Sequence, residues 1–302
     1  MKALLLLLLS LLTFSKPHAQ KQDRKTTKQL QALIKNFNGE IGVYVKNLGN
    51  NKVVAINADT IFPTASMVKV PILIGIMDKI NKGELAYHQE LIYRDSLLYE
   101  GVDILGSYKD SEKVELSKVV LLMLSTSDNT ASLWLQGLAG TGTRINALLD
   151  SMGFLKTRVN SRTPGREADR TVYGWGQTSP REMALLLEKI YNHQVVSEAA
   201  SDRMLRSLNK NYWDGESLSQ LPPDATIFSK NGAVDASRSE VVLVRGKKST
   251  FVFCVCTKNN KDQSWEPTNE AWQLTRKIAR LLYKTYEKKD NWQPAIDADR
   301  FN

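Results

Sequence analysis

Three short clusters in this chain hold residue types that could carry out nucleophilic chemistry together. Ser66-Met67-Val68-Lys69 sets a hydroxyl and an amine three residues apart. On a helix that spacing puts both on one face, within reach of each other. A serine hydroxyl attacks poorly until a neighbour takes its proton. A lysine that is desolvated or crowded by other cations can be neutral near pH 7 and act as that base. Backbone N–H groups at a helix start would also favour developing negative charge. Alone the tetrapeptide is a weak signal, because a capping serine beside a solvated lysine is spelled the same way. Ser127-Asp128-Asn129 offers a second hydroxyl to shuttle a proton and a carboxamide to hold a substrate, although all three residue types also cap helices. Lys230-Asn231-Gly232 offers a cation for a substrate carboxylate and a glycine that permits close backbone approach. As a tripeptide it reads first as a surface turn.

The elements around these clusters come in a definite order. Residues 20–38 carry helical spacing at Leu30, Leu33, Ile34 and Phe37, closed by Gly39. Residues 41–45 and 52–56 read as short strands joined by a turn over 47–51. From 66 to about 205 the apolar periodicity is helical: 70–80, 116–124, 131–138, 144–152, and a helix opened by Pro180. Residues 156–178, broken by Pro164, Gly165, Gly174 and Gly176, form a long irregular stretch of the kind that is usually functional. Strands return at 225–229, 240–245 and 249–256, and a helix over 267–286 closes the chain. Strands from both ends can share one sheet. The expected fold is therefore α+β: an antiparallel sheet flanked by N- and C-terminal helices, with an inserted all-helical lobe. Residues 20–302 form one domain, its α/β lobe at 20–62 and 205–302 and its all-α lobe at 63–204. The cleft between the lobes is the natural small-molecule site.

The order Ser-x-x-Lys, Ser-Asp-Asn, Lys-x-Gly, with the first two in helical context and the third beside strands, resembles the class A β-lactamase-like serine hydrolases of the β-lactamase and penicillin-binding protein superfamily. The resemblance covers nearly all of the mature chain and extends to Thr178-Ser-Pro-Arg-Glu-Met183 and Leu221-Pro-Pro223. It implies that Ser66 forms an acyl-enzyme with Lys69 as its proton partner, and that Ser127 passes a proton to the departing nitrogen. Asn129 would bind the substrate's side-chain amide. Lys230 and Asn231, with Arg238, would bind its carboxylate beside Gly232, and the N–H groups of Ser66 and Ala233 would form the oxyanion hole. Two departures stand out. Asn231 occupies the place of a usual Thr or Ser, though a carboxamide still donates. In the family a Glu in the irregular loop activates the water that releases the acyl group. Matching Met152-Gly153 and Thr157-Arg158 without gaps puts Thr163 there, followed by Pro164. Threonine is no base at neutral pH; Glu167 and Asp169 follow four and six residues on. Ser161 stands where an arginine usually pins the loop. The implied activity is β-lactamase-type hydrolysis of β-lactam amide bonds through a Ser66 acyl-enzyme, without a cofactor. Two alternatives stay open: a penicillin-recognising D-alanyl peptidase or esterase with slow deacylation, and a non-catalytic envelope binding module.

Composition sets the surroundings. Residues 1–19 combine Lys2, a leucine-rich core over 3–12 and Pro17-His18-Ala19, which reads as a signal peptide cut after Ala19. The apolar run is too short for a comfortable membrane span, so the expected destination is the periplasm or the medium, without stable membrane insertion. Net charge is +9, and losing Lys2 and Lys16 lowers it by two, to +7. The surplus is scattered, which favours a solvated basic surface over a nucleic-acid site. Cys254 and Cys256 lie two apart in a β-branched and aromatic run, so both read as buried thiols with no disulfide. With three His and no Cys/His neighbour, no metal site is expected. The partner is a small β-lactam or D-alanyl peptide, and the chain is expected to be a monomer.

Overall fold

A computed structural model describes residues 21–296, Val102 excepted; the signal-like segment and its cleavage point lie outside the described residues. In chain order the strands are β1 Lys21–Gln22, β2 Glu40–Asn47, β3 Lys52–Ile56, β4 Phe62–Pro63, β5 Glu90–Ile92, β6 Lys113–Glu115, β7 Arg158–Val159, β8 Gly176–Thr178, β9 Thr226–Val234, β10 Ser237–Arg245 and β11 Thr250–Lys258. The α-helices are α1 Arg24–Ile34, α2 Lys69–Asn81, α3 Leu116–Ser125, α4 Asn129–Leu138, α5 Thr141–Ser151, α6 Glu167–Tyr173, α7 Pro180–Tyr191, α8 Glu198–Leu208 and α9 Glu270–Tyr286.

Residues 241–244 of β10 and 251–256 of β11 are continuous apolar runs, so both faces of these strands need cover. Val241, Leu243, Val252, Cys254 and Cys256 join the core that continues into the helical lobe. Val242, Val244, Phe251, Phe253 and Val255 join a second core with Leu30 of α1 and Ile278 and Leu282 of α9. Burying each such side chain stabilises the fold by about 1.5–3 kcal/mol. The sheet runs β1-β3-β2-β11-β10-β9. It is antiparallel, as expected, with a two-residue parallel addition at one edge, where β1 pairs with β3. The other edge is β9, and an edge strand is free to face a neighbouring lobe.

The helical lobe centres on α2, whose residues from Lys69 to Asp78 are all buried. Short strand pairs also run through it, β5 with β6 and β8 with β4 and β7. Helix α8, absent from the sequence reading, is short and amphipathic, and Ser197 caps it by accepting from the Ala200 N–H. The two thiols are buried with Sγ atoms 3.6 Å apart. Among the described residues, no helix is long and apolar enough to cross a membrane.

Candidate active site

Ser66 sits in a single 3-10 turn, Ala65–Val68, that leads directly into α2. Two backbone positions are held in the left-handed region, Ala65 at φ 44° and Ser127 at φ 64°. For a residue with a Cβ this conformation costs on the order of 1–3 kcal/mol, and it persists only where surroundings enforce it. Here one such residue precedes Ser66 and the other carries the second hydroxyl. Asp128 enforces the second. It caps α4 by accepting from the Ala131 N–H at 2.7 Å, and accepts from the Ile104 and Leu105 N–H groups at 2.6 and 3.0 Å.

The Lys69 amine is the hub. It lies 3.1 Å from Ser66 Oγ and 2.9 Å from Ser127 Oγ, and donates to the Ser127 carbonyl at 2.5 Å and to Asn129 Oδ1 at 3.1 Å. Lys69 is fully buried. Burial, and then the nearby charge of Lys230, hold its pKa well below the usual lysine value, with Asp128 opposing. A buried, neutral amine between two hydroxyls can take a proton from one and hand it to the other.

Strand β9 closes the site from the sheet side. A Cβ at Gly232 would lie 2.4 Å from the Thr64 carbonyl oxygen and 2.7 Å from the Ser66 nitrogen, so only glycine lets β9 pack against the Ser66 turn. The tripeptide 230–232 lies within β9, not in the turn its composition first suggests. Lys230 shares a face with Val241, toward the helical lobe, whereas Asn231 lies opposite Glu240 on the α9 face. Lys230 is fully buried. Its amine donates to the Asn231 carbonyl at 2.9 Å and to Asn231 Oδ1 at 3.1 Å. Burial draws its pKa down to about 8, with Glu216 and Glu240 opposing.

Ser66, Asn129 and Ala233 line a cleft of about 610 Å³, with Ser127 and Lys69 beneath. Arg238 is not brought there. Its guanidinium lies on the α9 side between the rings of Trp265 and Trp272, 4.6 Å from each centroid. It donates to the carbonyls of Val234, Asp235, Ser237 and Ser264, so it clamps the β9–β10 turn.

The irregular loop is held by a network of its own. Glu182 accepts from the Leu155, Lys156 and Thr157 N–H groups at its start. The Asn146 carboxamide bonds Val159 in both directions, at 2.8 and 3.0 Å. Ser161 exchanges two hydrogen bonds with Gln136. Arg166 donates to Asn160 and to Gln177, both at 3.0 Å. Thr163 is buried against α5, so close that a Cβ at Gly142 would overlap its hydroxyl. Glu167 accepts from the Gly165 N–H, and Asp169 pairs with Arg166 at 3.1 Å. None of these three lines the cleft, and among the described lining residues there is no Asp, Glu or His.

Sequence reasoning missed the cleft's mouth. Tyr99 and Trp175 meet edge to face with centroids 5.0 Å apart, joined by Val172, Tyr173, Lys258 and Asn259. It also missed residues 209–217, which bridge the lobes. Asn211 donates to Ser229 Oγ at 3.1 Å, and the Trp213 indole donates to the Thr126 carbonyl at 2.9 Å. The available signal was aromatic residues inside stretches with no periodicity. No group of three or more His, Cys, Asp or Glu suited to a metal occurs among the described residues.

The profile of the beta-lactamase enzyme family matches residues 25–286. Beta-lactamase VEB-1 of Pseudomonas aeruginosa is 25% identical over 300 residues, covering 95% of this chain and 99% of that protein. Extended-spectrum beta-lactamase PER-1, also of Pseudomonas aeruginosa, is 22% identical over 292 residues, covering 93% of this chain and 94% of that protein. The solved structure of PBP-A superposes with a TM-score of 0.79 at 24% identity, covering 89% of this chain and 98% of that one. A PBP-A point mutant of equal similarity is described as an acyl-enzyme complex with penicillin G.

Proposed function

The chain belongs to the beta-lactamase enzyme family, and from that premise we propose that it hydrolyses β-lactam amide bonds through an acyl-enzyme on Ser66. The observation that carries this reading is the buried Lys69 amine, 3.1 Å from Ser66 Oγ and 2.9 Å from Ser127 Oγ. Lys69 takes the Ser66 proton as Oγ bonds to the lactam carbonyl carbon. The carbonyl electrons move onto oxygen, toward the N–H groups of Ser66 and Ala233. As the carbonyl re-forms, the C–N bond breaks and Ser127 delivers a proton to the departing nitrogen, replenished from Lys69. Asn129 receives the acyl side-chain amide. Lys230 acts on the substrate carboxylate through its charge at the β9 edge, next to Asn231. Arg238 is given no part in this, since its guanidinium lies behind the sheet against Trp272 and donates to carbonyls there. The acyl-enzyme described for the PBP-A mutant supports the covalent intermediate.

A second substrate, a D-alanyl peptide, is favoured by one observation: no Asp, Glu or His lies among the described residues lining the cleft. Release of the acyl group then lacks a positioned carboxylate base, which costs about 10²–10⁴-fold in that step. The test is mass spectrometry after exposure to penicillin, with turnover of a chromogenic cephalosporin measured in parallel. We expect one adduct, on Ser66, lost in Ser66→Ala with the fold intact. Unmodified wild-type protein would overturn the reading. Release of D-alanine from a model peptide, faster than cephalosporin turnover, would assign the second substrate. Export to the periplasm or the medium, as a monomer, completes the proposal.

A further inference from the structure

The tip of the β9–β10 hairpin stands at the free edge of the sheet, and its residues Ala233, Val234, Ala236 and Ser237 line the cleft. An edge strand is held from one side only, so its tip depends on that side for its position. The backbone ladder between β10 and β11 begins at Ser239 opposite Cys256. One residue nearer the tip, a side chain takes the ladder's place. The Arg238 N–H donates to Thr257 Oγ1 at 2.9 Å, and the same hydroxyl donates to the Arg238 carbonyl at 2.8 Å. Asn260 Nδ2 donates to that hydroxyl oxygen at 3.0 Å, and Ser237 Oγ donates to the Thr257 carbonyl at 2.6 Å. Thr257 is fully buried. The planar Arg238 guanidinium, held between the Trp265 and Trp272 rings, then gathers the carbonyls of Val234, Asp235, Ser237 and Ser264.

In an antiparallel strand the N–H and C=O of one residue leave on the same side. Arg238 directs both toward β11, so neither reaches Ala233, its partner across the hairpin. The Ala233 N–H therefore points off the free edge of the sheet, into the cleft that Ala233 lines. We propose that Arg238 and Thr257 are positioning residues for acylation: together they fix the tip of β9 so that the Ala233 N–H is already aimed at the oxyanion when it forms. A donor to a developing charge is most effective when it needs no reorganisation at the moment of reaction. Neither residue touches substrate or reacting atoms, so their effect falls on the rate of bond-making and not on binding. The inference rests on acylation of Ser66 by a β-lactam, with the Ala233 N–H as an oxyanion donor.

The experiment compares a penicillin bearing its free carboxylate with the methyl ester of the same penicillin, both followed as Ser66 acylation at one neutral pH and well below each variant's melting temperature. Thr257→Val and, independently, Arg238→Met are expected to lower the limiting acylation rate about 10–100-fold for acid and ester alike, with half-saturating concentrations within about threefold of wild type. In the acyl-enzyme of either variant, the infrared band of the ester carbonyl is expected at higher frequency than in wild type, because its oxygen accepts a weaker hydrogen bond. Thr257→Ser keeps the hydroxyl and is expected to restore both rate and band. A loss confined to the free acid, and seen in the half-saturating concentration, overturns the proposal, since it marks a guanidinium that binds the substrate carboxylate. So does a lower melting temperature with rate and carbonyl band unchanged, which marks a clamp that serves the fold alone. Absence of any adduct on wild-type protein with either compound sinks the acylation reading, and this one with it.

Discussion

The acylation proposed at Ser66 depends on a protonation state, and that state is set by burial. The Lys69 amine is enclosed, and a second lysine charge lies near, so its folded pKa is depressed. A base works only when deprotonated. Acylation of wild-type protein is therefore expected to rise with pH through the depressed Lys69 pKa and to level off at a pH below the normal lysine range. Stopped-flow acylation with the penicillin methyl ester would read this limb without interference from the substrate carboxylate. Lys69→Met should lose about 10²–10⁴-fold in acylation and flatten the limb. An unchanged pH profile in that variant would remove Lys69 from the role of base. In the tripeptide of β9, Gly232 is required for its missing Cβ, and Lys230 is fully buried.

The loop between β7 and β8 is the element on which turnover hinges. Ser161, standing where an arginine was expected, does not leave the loop slack, because Gln136, Asn146, Arg166 and Glu182 tie it to α4, α5, β8 and α7. That anchoring turns Thr163 against Gly142 at the start of α5. Thr163→Glu is accordingly expected to leave release of the acyl group as slow as in wild type, within about twofold, and to lower the melting temperature, because the larger side chain has no room. Steady hydrolysis of the chromogenic cephalosporin by that variant would show that the loop can turn this position into the cleft. Glu167 caps its own turn and Asp169 holds Arg166, and neither lines the cleft.

Across the whole molecule, the buried acids make stability depend on pH. Glu240 keeps its proton up to about 8 in the folded chain, against 4.5 for an ordinary glutamate. The native state thus binds more protons than the unfolded state between those values, and the stability this group contributes is present below 4.5 and lost as pH rises toward 8. Lys230, drawn from 10.5 to about 8, runs the other way and returns stability above 8. Lys69, held well below 10.5, also returns stability as pH rises, so the test is the difference between proteins: denaturant melts of wild type are expected to carry a falling contribution between 4.5 and about 8 that Glu240→Gln lacks. A limb of equal size in that variant would mean that other groups generate it.

Much of this was legible in the residues. The nearness of Ser66 and Lys69, the Ser-Asp-Asn cluster, the strand pairs at both ends and the helices over α2, α3, α7 and α9 follow from spacing, because period and local capping are properties of neighbouring residues. Helix α8, the parallel β1–β3 edge and the aromatic mouth were not, because their apolar residues are few or sit in stretches without a period. Only the folded chain decided that Arg238 points away from the cleft, that Thr163 is packed against α5, and that Glu240 is buried opposite Asn231. Those facts depend on which face of an edge strand, or which side of a loop, meets a partner far off in sequence, and distance along a chain carries no such information.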